Sequence, residues 1–555
     1  MLTSLQKRTA ETLRAQRTLK TNHVDAWRGM RVRDSQWNPL LRTLRLSSDI
    51  PFVQWTHESN KRLATQRRRL RLARGCVHIR NMRSTMYDAV VIGAGPNGLT
   101  AACVLARAGW RVLIIEARET IGGGVSSGEM TLPGFVHDLG SSVHPFGIAS
   151  PVFRMLELHR FGLRWIHPPA PVAHPLDGGR AVIQERSVRA TTAWLGGDGA
   201  AYARVMAPLV RSWDRIQPLV LHPLRFPRHP VAAARFGMLA LLPVRLLARI
   251  LFRDEAAPAL IAGLGAHSLL PLEAPLTAAP ALVLGALGHA AGWPLPQGGA
   301  QSIANALAAC LRTWGGEIRT GWYVQHIDEL PKARAYLFDV SPRQLIQIAG
   351  DRLPPGYRRR LERFRHGPGV FKLDYALDGP VPWRNPACLR AATVHLGGTL
   401  EEIAESERAP HCNEHALCPY VLFVQPTLFD PTRAPPGKHI VWAYCHVPHG
   451  STVDMTAAVE AQIERFASGF RNRILARRAM NCADMESWNP NLIGGDISGG
   501  VPDWRQLITR PTLSLTPYRT PARGIYLCSS STPPGPGVHG MCGYHAASAA
   551  LADNG

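Results

Sequence analysis

The chain lacks the sequence features of several protein classes. No uninterrupted apolar run reaches the roughly 18 residues of a membrane-spanning helix, so we expect none. The ten cysteines are scattered, without a Cys-x-x-Cys pair or other metal-ligand spacing, which argues against a metal site and favours free thiols in a reducing compartment. Aromatic residues account for 7% of the chain and do not alternate with basic ones. The sequence therefore predicts no metal and no nucleic-acid partner.

Acidic residues are scarce at the start of the chain. Of the net charge of +23, residues 1–85 carry +14 and the rest about +9, which is modest for their number. Residues 1–85 are rich in arginine, show no sustained periodicity and lack the apolar core of a secretory signal. We expect a disordered extension, or an over-long start assignment before Met86. A mitochondrial transit peptide fits the irregular pattern poorly.

The strongest positive signal is a strand, a glycine turn, a helix and a second strand in residues 88–116. That order is the frame of a dinucleotide-binding βαβ unit. Gly93 permits the tight turn, Gly95 lets the backbone approach a pyrophosphate, and Gly98 lets the helix pack on the strand. The helix N-terminus offers free N–H groups to phosphates. Glu116, about 20 residues beyond the loop, can accept both ribose hydroxyls.

A second match to the glycine pattern, at Gly535–Gly540, lacks this context, because too little chain follows it for another strand and a ribose acid. We therefore expect a single complete dinucleotide unit. Residues 524–543 instead predict a strand, a long glycine-proline loop and a final helix whose N-terminus could close the site from the other side. Residues 317–327 resemble a strand, a turn and a strand.

The segment Val231–Phe252 is apolar but carries Arg235, Arg245 and Arg249. It could lie on a membrane surface or gate an apolar tunnel. An ordinary amphipathic helix with its arginines in water explains the pattern equally well. In each case Pro243 should break or kink the helix.

Several blocks taken together resemble the FAD-dependent phytoene dehydrogenase (carotenoid desaturase) superfamily, within the amine-oxidase-like flavoproteins. The blocks at 489–497 and 536–541 look most like the branch named pyridine nucleotide-disulfide oxidoreductase domain-containing protein 2. The resemblance covers nearly all of residues 86–555. It rests on Ile92–Ala102, Glu116–Gly124, Asp138–Pro145, Pro296–Leu307, Gly316–Ile327, Asn489–Asp496 and Gly524–Gly543.

The resemblance implies an α/β fold: a Rossmann-like FAD-binding domain of the amine-oxidase/phytoene-dehydrogenase type with an interleaved α+β substrate domain. FAD-binding segments are expected at 86–168, 294–345 and 496–555. Substrate-domain segments are expected at 169–293, which is mainly helical by pattern, and at 346–495.

The resemblance also implies FAD in an extended form, held by residues from both ends of the chain. The pyrophosphate would meet the glycine loop and the adenosine ribose would meet Glu116, while Val324 would offer its backbone to the adenine. The residues implied to bind FAD are Gly93, Gly95, Pro96, Gly98, Glu116, Arg118, Gly123, Gly124, Val324, Ser530, Ser531, Gly537, Val538 and Met541.

In a flavin dehydrogenase the cofactor performs the redox step and the protein positions the substrate against it. His144 and His539 are the candidate catalytic residues, because each lies in a glycine-rich loop that carries the resemblance. Either could stabilise reduced flavin or shuttle a proton, and structural hydrogen bonds to loop backbone are the alternative. No Cys-x4-Cys pair follows the first glycine loop, so a flavin-linked dithiol is not expected.

These features predict an FAD-dependent, desaturase-like oxidoreductase acting on a hydrophobic small molecule. The electron acceptor stays open between oxygen, a quinone and a nicotinamide, and so does the oligomeric state. The alternatives are a flavin amine oxidase, a protein that keeps FAD structurally and works through partners, and a halogenase or monooxygenase. The apolar helical segment also leaves room for a peripheral membrane contact. We expect a cytoplasmic location for a bacterial protein and the mitochondrial matrix for a eukaryotic one.

Overall fold

The structure, a computed structural model, describes residues 87–554, and the predicted N-terminal extension lies outside the described residues. The strands are β1 Tyr87–Ile92, β2 Val112–Ile115, β3 Ser127–Glu129, β4 Val136–Asp138, β5 Trp165–Ile166, β6 Ala170–Pro175, β7 Ala181–Gln184, β8 Leu295–Pro296, β9 Glu317–Arg319, β10 Ala333–Phe338, β11 Gly369–Leu377, β12 Ala391–Leu396, β13 Val421–Val424, β14 His439–Val447, β15 Ile474–Met480 and β16 Ile525–Leu527.

The α-helices are α1 Pro96–Arg107, α2 Pro145–Ala149, α3 Pro151–Met155, α4 Val188–Thr192, α5 Gly199–Arg211, α6 Trp213–Val220, α7 Pro230–Ala240, α8 Val244–Leu251, α9 Ala256–Gly265, α10 Ala278–Ala290, α11 Gln301–Thr313, α12 Pro342–Ala349, α13 Pro355–Glu362, α14 Leu400–Arg408, α15 Thr456–Phe466, α16 Cys482–Trp488, α17 Trp504–Ile508 and α18 Met541–Asn554.

A five-stranded parallel sheet has the order β16-β10-β1-β2-β9, so its strands come from three distant parts of the chain. β1 and β2 are almost entirely buried, as continuous apolar runs require in a sheet covered on both faces. Helices α1 and α18 approach closely, because a Cβ on Gly543 would lie only 1.9 Å from the Asn97 carbonyl oxygen. The predicted α/β class with a Rossmann-like parallel sheet is confirmed.

A seven-stranded sheet has the order β15-β11-β14-β13-β12-β6-β7, and only its β12–β6 pair is parallel. One face packs on α15 through the apolar cluster that contains Phe371, Phe423 and Phe466. Cross-strand pairs place Lys372 opposite Tyr444, and Tyr444 opposite Leu422, on the other face. Because side chains alternate along each strand, this second face carries a different set of side chains from the apolar face that packs on α15.

Two local expectations meet different outcomes. Helices α7 and α8 meet at 97° with Pro243 between them, so the predicted break is confirmed. The prediction of a second strand near residues 322–327 is wrong. After β9 the chain turns at Gly321, the Trp322 N–H donates to the Glu116 carbonyl oxygen, and a 3-10 turn follows at Ile327–Glu329. A capping hydrogen bond to His326 replaces the strand ladder there.

Candidate active site

A cavity of about 990 Å³ is lined by residues from the carboxyl edge of the parallel sheet and from the second face of the seven-stranded sheet. At the first end lie Gly93, Glu116 and Asp339, which follow three parallel strands. This edge is where ligands bind in open α/β sheets. At the other end lie apolar side chains of helices α7 and α10, among them Phe236 and Leu284.

The structure brings nearly all of the predicted cofactor residues to this cavity, together with His144 and His539. Gly98 and Met541 are the exceptions. Gly98 packs behind the loop, and Met541 is 1% exposed with its N–H donating to His539 Nδ1. Contact of these two residues with a cofactor, like the individual roles of the others, stays a prediction.

The glycine loop between β1 and α1 leaves no room for a Cβ at its glycine positions. A Cβ on Gly98 would lie 2.1 Å from the Gly93 carbonyl oxygen, so only glycine lets the helix start this close to the strand end. A Cβ on Gly95 would lie 2.7 Å from Asp339 Oδ2. Gly95 therefore leaves space for a carboxylate of the protein, in addition to the phosphate that the sequence analysis expected.

The Glu116 carboxylate is held from two sides by backbone. Oε2 accepts from the Ala94 N–H at 2.7 Å, and Oε1 accepts from the Arg118 N–H at 3.0 Å. Glu116 is 9% exposed and lines the cavity, so its remaining acceptor positions can face a ligand. This geometry suits the predicted role of accepting ribose hydroxyls.

Asp339 is a cavity residue that the sequence analysis did not single out. It directly follows β10, and its Oδ2 accepts from the Gly98 N–H at 2.8 Å. Burial raises the pKa of Asp339 to about 7, and the nearby Glu116 charge adds to the increase. A polar residue directly after an apolar strand was the signal available, because such residues gather at the carboxyl edge of a parallel sheet.

Six cavity residues carry buried polar atoms without a hydrogen-bond partner among the described residues. Three of these atoms belong to Trp293, Gln344 and Trp488, and the other three are Asn97 Oδ1, His144 Nδ1 and His539 Nε2. Buried polar atoms are normally paired, and unpaired ones point to a missing water, ion or ligand. Asn97 lies at the start of α1, directly after the glycine loop. His144 directly precedes α2, and His539 lies in the C-terminal loop before α18. The residues present therefore fit a polar, phosphate-bearing dinucleotide such as FAD.

The two histidines have defined tautomers. His539 Nδ1 accepts from the Met541 N–H at 3.0 Å, so the ring proton lies on Nε2, which is a donor. Ser141 Oγ donates to the Gly124 carbonyl oxygen, so His144 Nε2 donates to Ser141 and its Nδ1 is an acceptor. Burial lowers the pKa of each ring to about 4. Both rings are therefore neutral near pH 7, one offering a donor and the other an acceptor.

Strand β11 contributes to the cavity lining a buried lysine that sequence reasoning missed. Lys372 is 2% exposed, forms an ion pair with Asp374 and lies 5.9 Å from the centre of the Trp442 ring. Burial lowers the pKa of Lys372, although Asp374 opposes this effect. The available signal was a lysine within the otherwise apolar strand β11, because a lysine is seldom fully buried without a partner.

The turn that leads to His144 is anchored by a second buried pair. Arg433 Nη2 lies 2.9 Å from Asp138 Oδ2, and both side chains are almost inaccessible to solvent. Asp138 also accepts from the Ala300 N–H and from the Ser127 and Ser142 hydroxyls. Burial would raise its pKa, but Arg433 and these donors hold it below the usual value. The network ties the loop before His144 to the N-terminus of α11.

Comparisons with known proteins agree with this architecture. Residues 91–158 match the family model of the NAD(P)-binding Rossmann-like domain. Pyridine nucleotide-disulfide oxidoreductase domain-containing protein 2 of Mus musculus is 27% identical over 84% of this chain and 94% of its own. A limonene dehydrogenase chain of Castellaniella defragrans is 37% identical over 95 residues, 17% of each chain.

Among solved structures, cyclohexylamine oxidase from Brevibacterium oxydans aligns with a TM-score of 0.54 at 17% identity, over 84% of this chain and 99% of its own. A similarity at this identity concerns the fold alone. The dinucleotide-binding unit predicted from the sequence is supported by the family match, and the relatives named above are described as an oxidoreductase domain-containing protein and a dehydrogenase. The chain is therefore homologous to pyridine nucleotide-disulfide oxidoreductase domain-containing protein 2 and carries a dinucleotide-binding Rossmann-like domain.

Proposed function

We propose that this chain is an FAD-dependent oxidoreductase, related to phytoene dehydrogenases, that removes hydrogen from a hydrophobic small molecule. The observation that carries the proposal is the single cavity that joins the glycine loop and Glu116 to an apolar wall. A substrate seated against that wall would share the cavity with a dinucleotide held by the glycine loop and Glu116. The similarity to a dehydrogenase named for limonene supports a hydrophobic substrate.

The apolar wall comes from the helical segment and the sheet face. It includes Leu219, Val220, Phe236, Ala240, Leu241, Leu269, Leu270, Leu276, Ala279, Val283, Leu284, Val370 and Leu422. Such a wall binds hydrocarbon by removing it from water, at about 25 cal/mol for each Å² buried. It offers few groups to recognise a strongly polar substrate, so binding energy and water exclusion are the main contributions of this half of the site.

When bound, FAD supplies the chemistry of accepting electrons from the substrate. The protein's own residues bind, orient and exclude water. The glycine loop and Glu116 hold the nucleotide end, as described above. Elsewhere in the cavity lining, neutral His539 can donate a hydrogen bond from Nε2, and neutral His144 can accept one at Nδ1. Because both pKa values are near 4, these rings orient polar atoms at neutral pH and carry no positive charge.

Amine oxidation is the second candidate, and one observation favours it. Trp442 and Tyr444 both line the cavity, with ring centres 5.2 Å apart at 88°. Trp442 and Tyr444 are two residues apart on β14, and only the folded sheet shows that both side chains reach the cavity. Aromatic faces attract ammonium groups. Lys372 already lies near the Trp442 ring and would repel a second cation, so we place this candidate behind the first.

The test begins with the full-length protein as purified. We expect the absorption of oxidised flavin, release of FAD on denaturation and bleaching of the absorption by a terpene or polyene under anaerobic conditions. Bleaching by amines alone would transfer the assignment to the second candidate. A colourless protein that takes up no FAD would overturn both.

A matched pair of glycine variants checks that the flavin sits in this cavity. Gly98→Ala forces a backbone clash in the loop, whereas Gly356→Ala introduces a Cβ with nothing within 4 Å. We expect the first to lose most of its flavin and the second to retain it. Equal flavin content in two folded variants would contradict the location.

A further inference from the structure

A continuous part of the helical segment exposes large apolar side chains to solvent. Phe226 is 97% exposed, and six more such residues lie between positions 224 and 250. They are Leu224, Val231, Met238, Leu241, Leu246 and Ile250. An exposed apolar patch of this density on a folded protein marks a surface that contacts something else. We call the segment 224–250 the apolar elbow, after the 97° bend between α7 and α8.

The exposed side chains of the apolar elbow fall on one side of each helix. On α7 they recur at Val231, Arg235 and Met238 and continue to Leu241, a spacing of four, three and three residues. On α8 the exposed positions are Leu246, Arg249 and Ile250. Such spacings place residues on one helical face. Each helix therefore presents an apolar stripe with arginine beside it, the pattern of helices that lie in a membrane interface.

The stretch of chain that contains the apolar elbow carries charge of one sign. Residues 215–253 contain seven arginines and no acidic residue. Arg245 and Arg249 are paired with Glu273 and Glu401, but within residues 87–554 no ion pair is formed by Arg225, Arg228 or Arg235. These three exposed guanidinium groups complement an anionic surface. Each basic residue near an anionic membrane contributes about 1 kcal/mol to binding.

The apolar elbow also borders an opening of the cavity. Leu241 lines the cavity and is 62% exposed to solvent, so the cavity reaches the surface at this residue. Phe236 and Gly237, on the same helix as the residues before Leu241, also line the cavity and are partly exposed. No single helix in the described part of the chain is long and apolar enough to cross a bilayer. Two short helices at 97° are suited to lying on a membrane surface.

We propose that the apolar elbow docks on an anionic lipid bilayer and that hydrophobic substrate enters the cavity from the bilayer beside Phe236 and Leu241. The docking part stands on exposure, helix geometry and charge. The entry part rests on the proposed function. An apolar substrate is scarce in water and concentrated in lipid, so an opening at the membrane interface supplies it directly.

The test is sedimentation of the full-length protein with vesicles of phosphatidylcholine, alone or mixed with phosphatidylglycerol. We expect binding to the mixed vesicles that weakens with salt. The double variant Phe226→Ser/Met238→Ser, at positions outside the cavity lining, should bind at least roughly tenfold more weakly. Arg225→Gln should reduce binding about fivefold. The matched control, Leu513→Ser/Leu515→Ser, removes equally exposed side chains elsewhere and should bind like wild type.

Two results would overturn the docking proposal: no binding of the wild-type protein to either vesicle, or equal binding of the elbow and control variants. A wild-type dimer that the elbow variant converts to a monomer would assign the surface to a second copy of the chain instead. Flavin absorption is read in the same samples. Vesicle binding by a flavin-free protein would leave docking intact while the proposed function fails.

Discussion

At the scale of single residues, Asp339 brings a titratable carboxyl group under the glycine loop. Its Oδ2 lies 2.7 Å from the position that a Cβ on Gly95 would take, and it accepts from the Gly98 N–H. The pKa of about 7 means that Asp339 is partly ionised at neutral pH. An ionised carboxylate repels the phosphates that the loop is built to bind. The same residue therefore shapes the loop and tunes its affinity for an anion.

The first prediction concerns the pH dependence of FAD binding. Because the phosphates favour protonated Asp339, the dissociation constant of FAD should fall as pH falls from about 8 to 6, by up to about tenfold per pH unit. Asp339→Asn keeps the acceptor for the Gly98 N–H and removes the charge, so it should flatten this dependence. Calorimetric titration of flavin-depleted protein measures it. The exposed control Asp351→Asn should behave like wild type, and an unchanged slope in Asp339→Asn would refute the assignment.

The second prediction concerns Glu116, whose two oxygens each accept from a backbone N–H. Glu116→Gln replaces one oxygen with an NH₂ group that faces a donor, so a buried N–H loses its partner. We expect a loss of about 1–3 kcal/mol in the free energy of unfolding, together with weaker FAD binding. Denaturant unfolding and calorimetry give the two values. The control is Glu119→Gln, at the next glutamate along the chain, whose side chain is exposed. It should change neither the free energy of unfolding nor FAD binding.

At the scale of elements, one hydroxyl group joins α8 to the helix that lines the cavity. Thr277 directly precedes α10 and is fully buried. Its Oγ1 accepts from the Val244 N–H at 2.9 Å and donates to the Ala274 carbonyl oxygen at 2.8 Å. The first N–H groups of a helix have no partner within it, so this bond caps α8. The same bond also ties α8, the second helix of the apolar elbow, to the start of α10, which lines the cavity.

The third prediction follows from this cap. Thr277→Val preserves shape but leaves the Val244 N–H without an acceptor, so we expect the free energy of unfolding to fall by about 1–3 kcal/mol. The exposed Thr313, whose hydroxyl donates to Cys310, provides the control. Thr313→Val should stay within about 0.5 kcal/mol of wild type. Urea denaturation compares the two. Equal effects would mean that the cap of α8 does not contribute to stability.

At the scale of the whole molecule, many histidines are buried in the neutral form. Burial lowers the pKa to about 3 for His137 and His267 and to about 4 for His144, His174, His222, His289, His539 and His545. In the unfolded chain these rings titrate near 6.5. Between those values the unfolded state binds more protons than the folded state, so acid favours unfolding.

The fourth prediction is the resulting pH profile of stability. The histidine contribution is fully present above about pH 6.5 and is lost as pH falls toward 4, with each extra proton of the unfolded state changing the slope by about 1.4 kcal/mol per pH unit. The Tm should be nearly constant from pH 8.5 to 7 and should fall steeply by pH 5. Thermal scans over this range measure it. A Tm that stays constant down to pH 5 would show that these rings are hydrated and protonated in the folded protein.

The amino-acid sequence was enough to identify the dinucleotide unit, because its signal is local. Strand, glycine turn, helix and acid occur within residues 88–116, and each depends on nearby neighbours. The final helix and the break at Pro243 were predicted for the same reason. The strand expected near 322–327 is absent because the local sequence does not show which partner its backbone will find. There the Trp322 N–H donates to Glu116 instead of to a neighbouring strand.

Only the tertiary structure revealed the second half of the site. Lys372 lies on β11, whereas Trp442 and Tyr444 lie on β14, and the register of the seven-stranded sheet places the three side chains on one face. Asp339 reaches the glycine loop because β10 pairs with β1 across more than two hundred residues. Sequence patterns record which residues a strand or helix buries. The choice of partner strand and the shape of the enclosed cavity depend on long-range packing, which local composition does not encode.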